Sequence, residues 1–570
     1  MTVRDYNPTR APRTVFLLFA LGIVVSLPSL LWHKWPSPDA AIYYLPMIRE
    51  FARGNWGGAF YPMIPPFFIV AVGLLSTALF IPALYAAKLV SILCFAGSVF
   101  PLYRILRPIY GRRTAELGCL LMILCARLIR DGAAPLLDST KMFLFLWVVA
   151  MVFESYRSSR LTYGRAILMV PPLAGLALVR GEGLALSLLA LVALAMAECR
   201  QLRQRPADAK PGWTKLVPRK TMAATLLFAV LALPWALYVY RQTGYPALDS
   251  RQIEMLRKIP GVEGLAHAEP KQIDEPETLE SLLDAQPRLR SSQPRGRSRR
   301  SFATLHNSLL AELYKGVYRY YIPLYLIGLL VRIRGGKWAR RESALLVVFV
   351  GHTALIVTAL GGLWTQARYI LPAMPLLLGW AALGLQTAVQ PLLATERRPL
   401  RHGALAIAGL ALLLTIYSGN QNAFDFLRRS APHRRATMES EDDEWYTPIL
   451  DAAAWFRARD FAESAASRPS LQSTTRQYHP GRRPLLLTAS PQLPFLAEAD
   501  AVFLDFYRYD FSLDSLLRFA RFKTVDYIVT DRQWRNLSPI DAGLLQSSSE
   551  VEPVAVFGEG LHQVHIFKLR

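Results

Sequence analysis

Asp39 in SPDAAIYYLPMIREFARGNW, Asp138 in RDGAAPLLDST, Arg180 in LALVRGEGLAL and Arg368 in QARYILPAM are the residues whose types suit proton and anion chemistry. A lone carboxylate can take the proton of an attacking hydroxyl, and a guanidinium pairs with phosphate oxygens through a planar fork. Tyr43, Tyr44, Trp364 and Tyr369 lie beside these charges and supply amphipathic walls for a donor or acceptor pocket. Each residue also has an ordinary structural explanation. Asp39 follows Ser37 and Pro38 and suits the first turn of an interfacial helix, Asp138 has Lys141 three residues on, Arg180 has Glu182, and Arg368 can anchor at an interface between Trp364 and Tyr369. The chemical reading needs all four to emerge on one face of whatever holds them.

What holds them is a membrane. Apolar residues make up 52% of the 570 and are clustered rather than spread. Runs such as AVGLLSTALFIPALYAA, MAATLLFAVLALPWALYVY and SALLVVFVGHTALIVTALGG approach the roughly 20 residues that cross a hydrocarbon layer about 30 Å thick. The first run, Thr14 to Trp32, follows Arg4, Arg10 and Arg13 but precedes no small-residue cleavage site, so it reads as a retained span.

Short basic clusters at 104–113, 156–165, 199–220, 332–341 and 397–401, with the N-terminal tail, belong in the cytoplasm. Thr14 to Trp32 then leads out to Asp39. The stretch from Pro65 to Leu106 must cross an odd number of times although it is long enough for two helices, so Pro65–Phe80 is expected as a juxtamembrane or re-entrant helix and Leu84–Leu106 as the span. Ala115–Ile129 leads out to Asp131 and Asp138, which puts Asp138 on the face of Asp39. Residues 166–198 begin and end at basic clusters with Arg180 and Glu182 between them, and a hairpin turning at Arg180, with arms of about 15 residues, avoids charges at mid-bilayer that cost about 2.5–3.5 kcal/mol each. Continuing through 222–240, 318–331, 343–360, 369–385 and 404–417 gives about 11 crossings and an external C-terminus.

The predicted architecture is an α-helical polytopic membrane module over residues 1–418 and an extracytoplasmic α/β domain over 419–570, with 241–317 an external loop whose Arg-, Ser- and Pro-rich middle has the composition of a disordered segment. In the C-terminal domain, strand-like PLLLTAS, AVFLDF, VDYIVTD, VEPVAVF and HQVHIFKL alternate with helical patterns, which predicts a partly parallel sheet. No Gly-rich phosphate loop supports nucleotide binding there, and His562 and His565 fall on opposite faces of a strand rather than forming a metal pair. The net charge of +23 is explained by cytoplasmic clusters and carries no nucleic-acid signature. Cys94, Cys119, Cys125 and Cys199 sit in or beside spans and predict neither disulfides nor a thiolate metal site.

In order along residues 14–390, Asp39 with AIYYLPMIREFARGNW, YPMIPPFF, LLDST, LALVRGEGLAL and QARYILPAMPLLLGWAAL resemble glycosyltransferases of the GT-C class, the group of protein O-mannosyltransferases and lipid A aminoarabinose transferases. The resemblance implies a bacterial cytoplasmic-membrane enzyme that moves a sugar, with inversion, from a polyprenyl-phosphate carrier to an acceptor hydroxyl on a glycan, lipid or protein outside the cell. It implies Asp39 as the catalytic base, Asp138 as a second acidic residue organising the site, and Arg180 and Arg368 as contacts to the donor phosphate. Where the family often has a second acid after the aspartate this chain has Ala40, and where many members have a lysine before the proline pair it has Ile64. A divalent metal stays open, with His33 as a nearby ligand, and the acceptor and sugar stay open as well. The competing readings are a flippase or transporter for a lipid-linked sugar and a non-catalytic envelope-assembly protein.

Overall fold

The computed structural model describes the chain except for residues 1–11, 204–217, 253–317, 336–339, 360–366, 425–445 and 504–511, most of 394–412 and 460–482, and some shorter stretches. It divides into two compact units, one of residues 1–33, 61–267 and 302–425, the other of 34–60, 268–301 and 426–570.

The first unit is helical, as apolar chain in lipid must be, because only a helix satisfies its backbone groups within one segment. Among the described residues six helices are long and apolar enough to cross a membrane: Arg13–Trp32, Ala83–Tyr110, Asp138–Arg157, Gly181–Arg203, Arg219–Thr243 and Arg368–Gln390. Of the other expected crossings, Ala115–Ile129 is broken into Arg112–Ile123 and Ala126–Gly132, 318–331 is a turn and a short 3-10 stretch leading into the helix Ile322–Arg334, and 343–359 lies in Arg340–Ala359. Part of 404–417 lies outside the described residues.

The expected Pro65–Phe80 helix is present as Phe67–Leu79, and its 13 residues at about 1.5 Å of rise each fall short of the hydrocarbon thickness. It stops at Phe80, whose backbone is left-handed (φ 52°), and the chain turns back to pack on Ala83–Gly97. Small residues bring helices into backbone contact elsewhere. A Cβ on Gly328 would lie 1.9 Å from the Trp380 carbonyl oxygen and one on Gly384 2.0 Å from that of Leu324, so Ile322–Arg334 and Leu378–Leu393 pack without side chains between them.

The second unit holds a five-stranded sheet of β1 (Leu485–Thr488), β2 (Asp500–Phe503), β3 (Tyr527–Thr530), β4 (Val551–Phe557) and β5 (Val564–Leu569) in the order β2-β1-β3-β5-β4. β1 is parallel to both β2 and β3, while β5 runs antiparallel to β3 and β4. The five strands are the five runs that the sequence marks, and the sheet is partly parallel as its alternation with helices predicts. Successive residues of β1 and β3 pack on opposite sides: Leu485, Leu487 and Ile528 with Leu516 and Phe519, and Leu486, Tyr527 and Val529 with Ile449, Phe456 and Leu493. The segment carrying Asp39 belongs to this unit, where Arg49 lies 4.6 Å above the Phe495 ring and donates to the Phe495 carbonyl at 3.4 Å.

Candidate active site

In the membrane unit the charges gather at a break between two helices. Val170–Val179 ends where Arg180 takes an extended backbone (φ −162°, ψ 148°), and Gly181–Arg203 begins at the next residue. The two helices fold back on one another, with the Ser187 hydroxyl donating to the Leu173 carbonyl at 2.9 Å. A hairpin at Arg180 is what the buried-charge argument asks for. Its arms are unequal rather than about 15 residues each: Gly181–Arg203 has 23, whereas the arm before the turn is divided into Tyr163–Leu168 and Val170–Val179.

Glycine makes the turn possible. A Cβ at Gly183 would sit 1.9 Å from the Leu176 carbonyl oxygen, and one at Gly181 would sit 2.1 Å from Asp249 Oδ2. Asp249 therefore lies against the turn, just past the helix Arg219–Thr243, and Gln252 ties it there by donating from its amide nitrogen to Asp249 Oδ1 (3.0 Å) and from Nε2 to the Gly181 carbonyl (2.7 Å).

Arg180 is held on three sides. Nη1 donates to Asp138 Oδ1 at 2.9 Å, Nε meets Glu182 Oε1 at 3.1 Å, and the guanidinium lies 4.1 Å from the centre of the Tyr369 ring. Glu182 Oε1 also accepts from Lys141 Nζ at 2.7 Å, in a pair with almost no solvent exposure. The pairing differs from the one that spacing predicts. Asp138 binds Arg180 rather than Lys141, and Lys141 reaches across to Glu182, because an approach between helices aligns charges more directly than three residues along one helix.

Arg368 stands beside the same ring, 5.1 Å from its centre, with Nη2 donating to the Tyr369 hydroxyl at 3.2 Å. Two of the predicted cations thus share Tyr369, and one of them is joined to the predicted acid Asp138. Trp364 and His33 lie outside the described residues.

In the second unit, Asp39 opens a turn of π-helix, Ala40–Tyr44, that carries Tyr43 and Tyr44 and runs into the α-helix Leu45–Ala52. The amide of Leu45 donates to the Ala40 carbonyl five residues back. Pro46 accounts for the extra residue, since its ring has no N–H and clashes with the carbonyl four residues earlier in a regular helix. The insertion rotates the buried stripe. Spacing alone selects Ile42, Leu45, Ile48 and Ala52, whereas Ala40, Ala41, Leu45, Ile48 and Phe51 are buried and Ile42 and Ala52 are half-buried. Burial, helped by nearby Arg483, lowers the Arg49 guanidinium to about 10, which leaves it charged at neutral pH.

Sequence reasoning passes over Lys141 as more than a partner for Asp138, and over Asp249, Lys88 and His352. Lys88 is buried and donates to the Ser29 carbonyl at 2.8 Å, and His352 is buried on the helix Arg340–Ala359. The signal for the last two lies in the chain itself: an ionisable residue inside an apolar span is a functional candidate by its position alone.

No family model and no curated protein sequence matches the chain. Solved structures do. An ArnT from Cupriavidus metallidurans bound to undecaprenyl phosphate superposes with a TM-score of 0.52 at 15% identity, covering 98% of each chain. The GT-C fold is the chain's own. The Archaeoglobus fulgidus oligosaccharyltransferase in its apo form matches with a TM-score of 0.50 at 12% identity over 91% of this chain and 69% of that one. The same archaeal enzyme in complex with an inhibitory peptide and a dolichol-phosphate matches at 0.50 and 13% identity, over 91% and 70%. On this GT-C frame the Arg180 turn, Asp138 and Tyr369 form one buried cluster.

Asp138 and Glu182 already face cations, and among the described residues no three His, Cys, Asp or Glu side chains gather into a ligand set.

Proposed function

We propose that the protein is an integral membrane glycosyltransferase that moves a sugar from a polyprenyl-phosphate carrier to an acceptor hydroxyl on the extracytoplasmic face. The observation that carries this reading is the clamped Arg180: a guanidinium fixed at a helix break by Asp138, Glu182 and the Tyr369 ring, with Arg368 beside the same ring. A cation held at that cost in a membrane module suits a fixed anion such as a carrier phosphate. The GT-C fold supports the same reading, because two of its structural neighbours were solved with undecaprenyl phosphate and dolichol-phosphate.

In this mechanism Arg180 and Arg368 receive the donor phosphate and offset the charge that grows on it as the glycosidic bond breaks, the electrostatic contribution that dominates many such transfers. Asp138 orients Arg180 and so organises the site without itself touching the sugar. Asp39 accepts the acceptor's proton as its oxygen attacks the anomeric carbon, and a single attack opposite the leaving group inverts that centre. Tyr43, Tyr44, Trp364 and Tyr369 are proposed as walls of the donor and acceptor pockets. No step is routed through a metal.

The test is Asp39→Asn in purified full-length protein reconstituted with a polyprenyl-phosphate sugar and a membrane extract as acceptor source. Loss of a general base lowers the rate by about 10²–10⁴, so the variant should remain folded, bind the lipid and transfer almost nothing. Full transfer by Asp39→Asn would remove that residue from the role. Lipid flux without glycoside formation would favour a flippase, and neither activity an assembly protein.

A further inference from the structure

In the second unit the sheet order begins β2-β1-β3, with β1 parallel to both neighbours. Past β1 the chain forms Gln492–Ala497 on one face of the sheet, where Leu493 and Ala497 are buried, and enters β2 on one side of β1. It returns to β3 on the other side through Leu513–Phe522, whose Leu516 and Phe519 pack on the opposite face. Beyond β3 the chain follows that second face, where Trp534 is buried. Two adjacent parallel strands whose chains depart to opposite faces leave a crevice at their carboxyl ends, and that is where open α/β sheets bind ligands.

Polar side chains stand at this edge. Thr488 of β1 pairs with Val529 of β3, and Ser490 and Asp531 each follow two residues later, on strands about 4.8 Å apart. Ser490 is wholly buried, and Gln492 and Asp531 are 3% and 1% exposed. Thr488 Oγ1 accepts from the Ser490 amide at 3.1 Å, and Asp531 Oδ1 accepts from the Trp534 amide at 2.8 Å. Among the described residues, neither Ser490 Oγ nor Gln492 Oε1 has a hydrogen-bond partner. Burying a polar atom unmatched is costly. Two such atoms after one strand, at the switch point of the sheet, call for a ligand that supplies the partners the fold does not.

The groups define its chemistry. An anion is disfavoured beside Asp531, and an apolar guest leaves Ser490 and Gln492 as they are. The carboxylate and amide oxygens accept, while a hydroxyl both donates and accepts. A ring bearing several adjacent hydroxyls matches all three, and such a ring is a sugar. The helix Gln492–Ala497 also packs on the π turn Ala40–Tyr44 that follows Asp39, so the crevice belongs to the same unit as the proposed base.

Building on the reading that Asp39 activates an acceptor hydroxyl, we propose that the acceptor is a saccharide and that the crevice between the carboxyl ends of β1 and β3 holds one of its rings. Ser490, Gln492 and Asp531 are assigned as the contacts to its hydroxyls, and no bond is made or broken there.

Saturation-transfer NMR on the full-length protein in nanodiscs, without donor, tests binding with the methyl glycosides of mannose, glucose, galactose and arabinose as probes. At least one of the four should bind. In Gln492→Leu and in Ser490→Ala its dissociation constant should rise about tenfold, roughly what one hydrogen bond contributes. Without sugar both variants should melt no lower than the unaltered protein, because each change removes an unmatched polar atom. Binding of none of the four overturns the proposal whether or not the variants fold. Binding that both variants keep at full strength overturns it too, as does a fall in both melting temperatures, which would make these groups structural. Transfer assays separate the two levels. With an oligosaccharide ending in the bound sugar as acceptor, the variants should raise KM and leave kcat near its unaltered value. Asp39-dependent transfer onto a lipid or protein that carries no sugar defeats the saccharide assignment alone. A sugar that binds through Gln492 in a chain that transfers to nothing defeats the glycosyltransferase reading, and with it the acceptor role, while the sugar site stands.

Discussion

At the residue scale, the turn between the hairpin arms depends on two glycines for different reasons. At Gly183 a methyl group would meet backbone, the Leu176 carbonyl at 1.9 Å, so the arms themselves must separate. At Gly181 it would meet the end of a side chain, the Asp249 carboxylate, which can swing away. Gly183→Ala should therefore lower stability by about 1–3 kcal/mol or more, as overpacking does, while Gly181→Ala keeps the fold and displaces Asp249; melting curves of the two variants in the same detergent check the order. Glu182 offers a second prediction. It is the buried carboxylate shared by Lys141 and Arg180, and removing one partner of a buried pair costs about 3–5 kcal/mol. Glu182→Ala should fall in that range, and adding Lys141→Met should recover part of the loss; equal melting temperatures for the single and double variants would mean that Lys141 gains nothing from Glu182. The types of these residues are legible in RGEG and LLDSTK, and so is the Arg180–Glu182 pair, but the partners of Asp138 and Lys141 are not. Spacing sees Asp138 and Lys141 three residues apart on one helix, whereas the pairs that form join residues about 40 positions apart and exist only once the helices pack.

At the element scale, the turn after Asp39 shows how one residue alters a pattern read correctly otherwise. The apolar repeat in AIYYLPMIREFA is genuine, and Pro46 marks an irregularity, but a period of 3.6 cannot say that the irregularity is a π turn. The extra residue turns everything before it by about 100° relative to a regular helix. That places Ala40, five residues before Leu45, on the buried side with it while Ile42 is half-buried; Phe51 lies beyond the insertion, three residues after buried Ile48. Pro46→Ala permits a regular helix with Asp39 and Tyr43 rotated from their present directions. It should reduce transfer by up to about 10²–10⁴, the range that loss of a positioned base covers, while changing the melting temperature little; a variant with full activity would show that the π turn does not set the direction of Asp39. The sheet of the second unit is easier to read, since each strand is a short apolar run bounded by turn residues or helical pattern, and the parallel pairs β1–β2 and β1–β3 follow from helices lying between successive strands.

At the scale of the whole molecule, the proposed orientation rests on the distribution of charge, and the proposed mechanism needs that orientation to bring the two carboxylates to one face. Arg and Lys outnumber Asp and Glu by 65 to 42, and the short clusters among them recur between apolar runs where a cytoplasmic loop is required. The 13-residue helix Phe67–Leu79 fits that path, because it leaves one crossing rather than two before the cluster at 104–113. The four cysteines are free, two of them buried, so they can be replaced by serine or alanine without breaking a disulfide. In that background, single cysteines at Ser37 and Ala134 report on the segments of Asp39 and Asp138, and one at Arg112 reports on a basic cluster. A membrane-impermeant maleimide added to intact cells with a permeabilised outer layer should label the first two and spare the third until the inner membrane is opened. If Ser37→Cys and Ala134→Cys react from opposite sides, a base at Asp39 and an arginine clamp anchored by Asp138 cannot serve one transfer, whatever each does in its own unit.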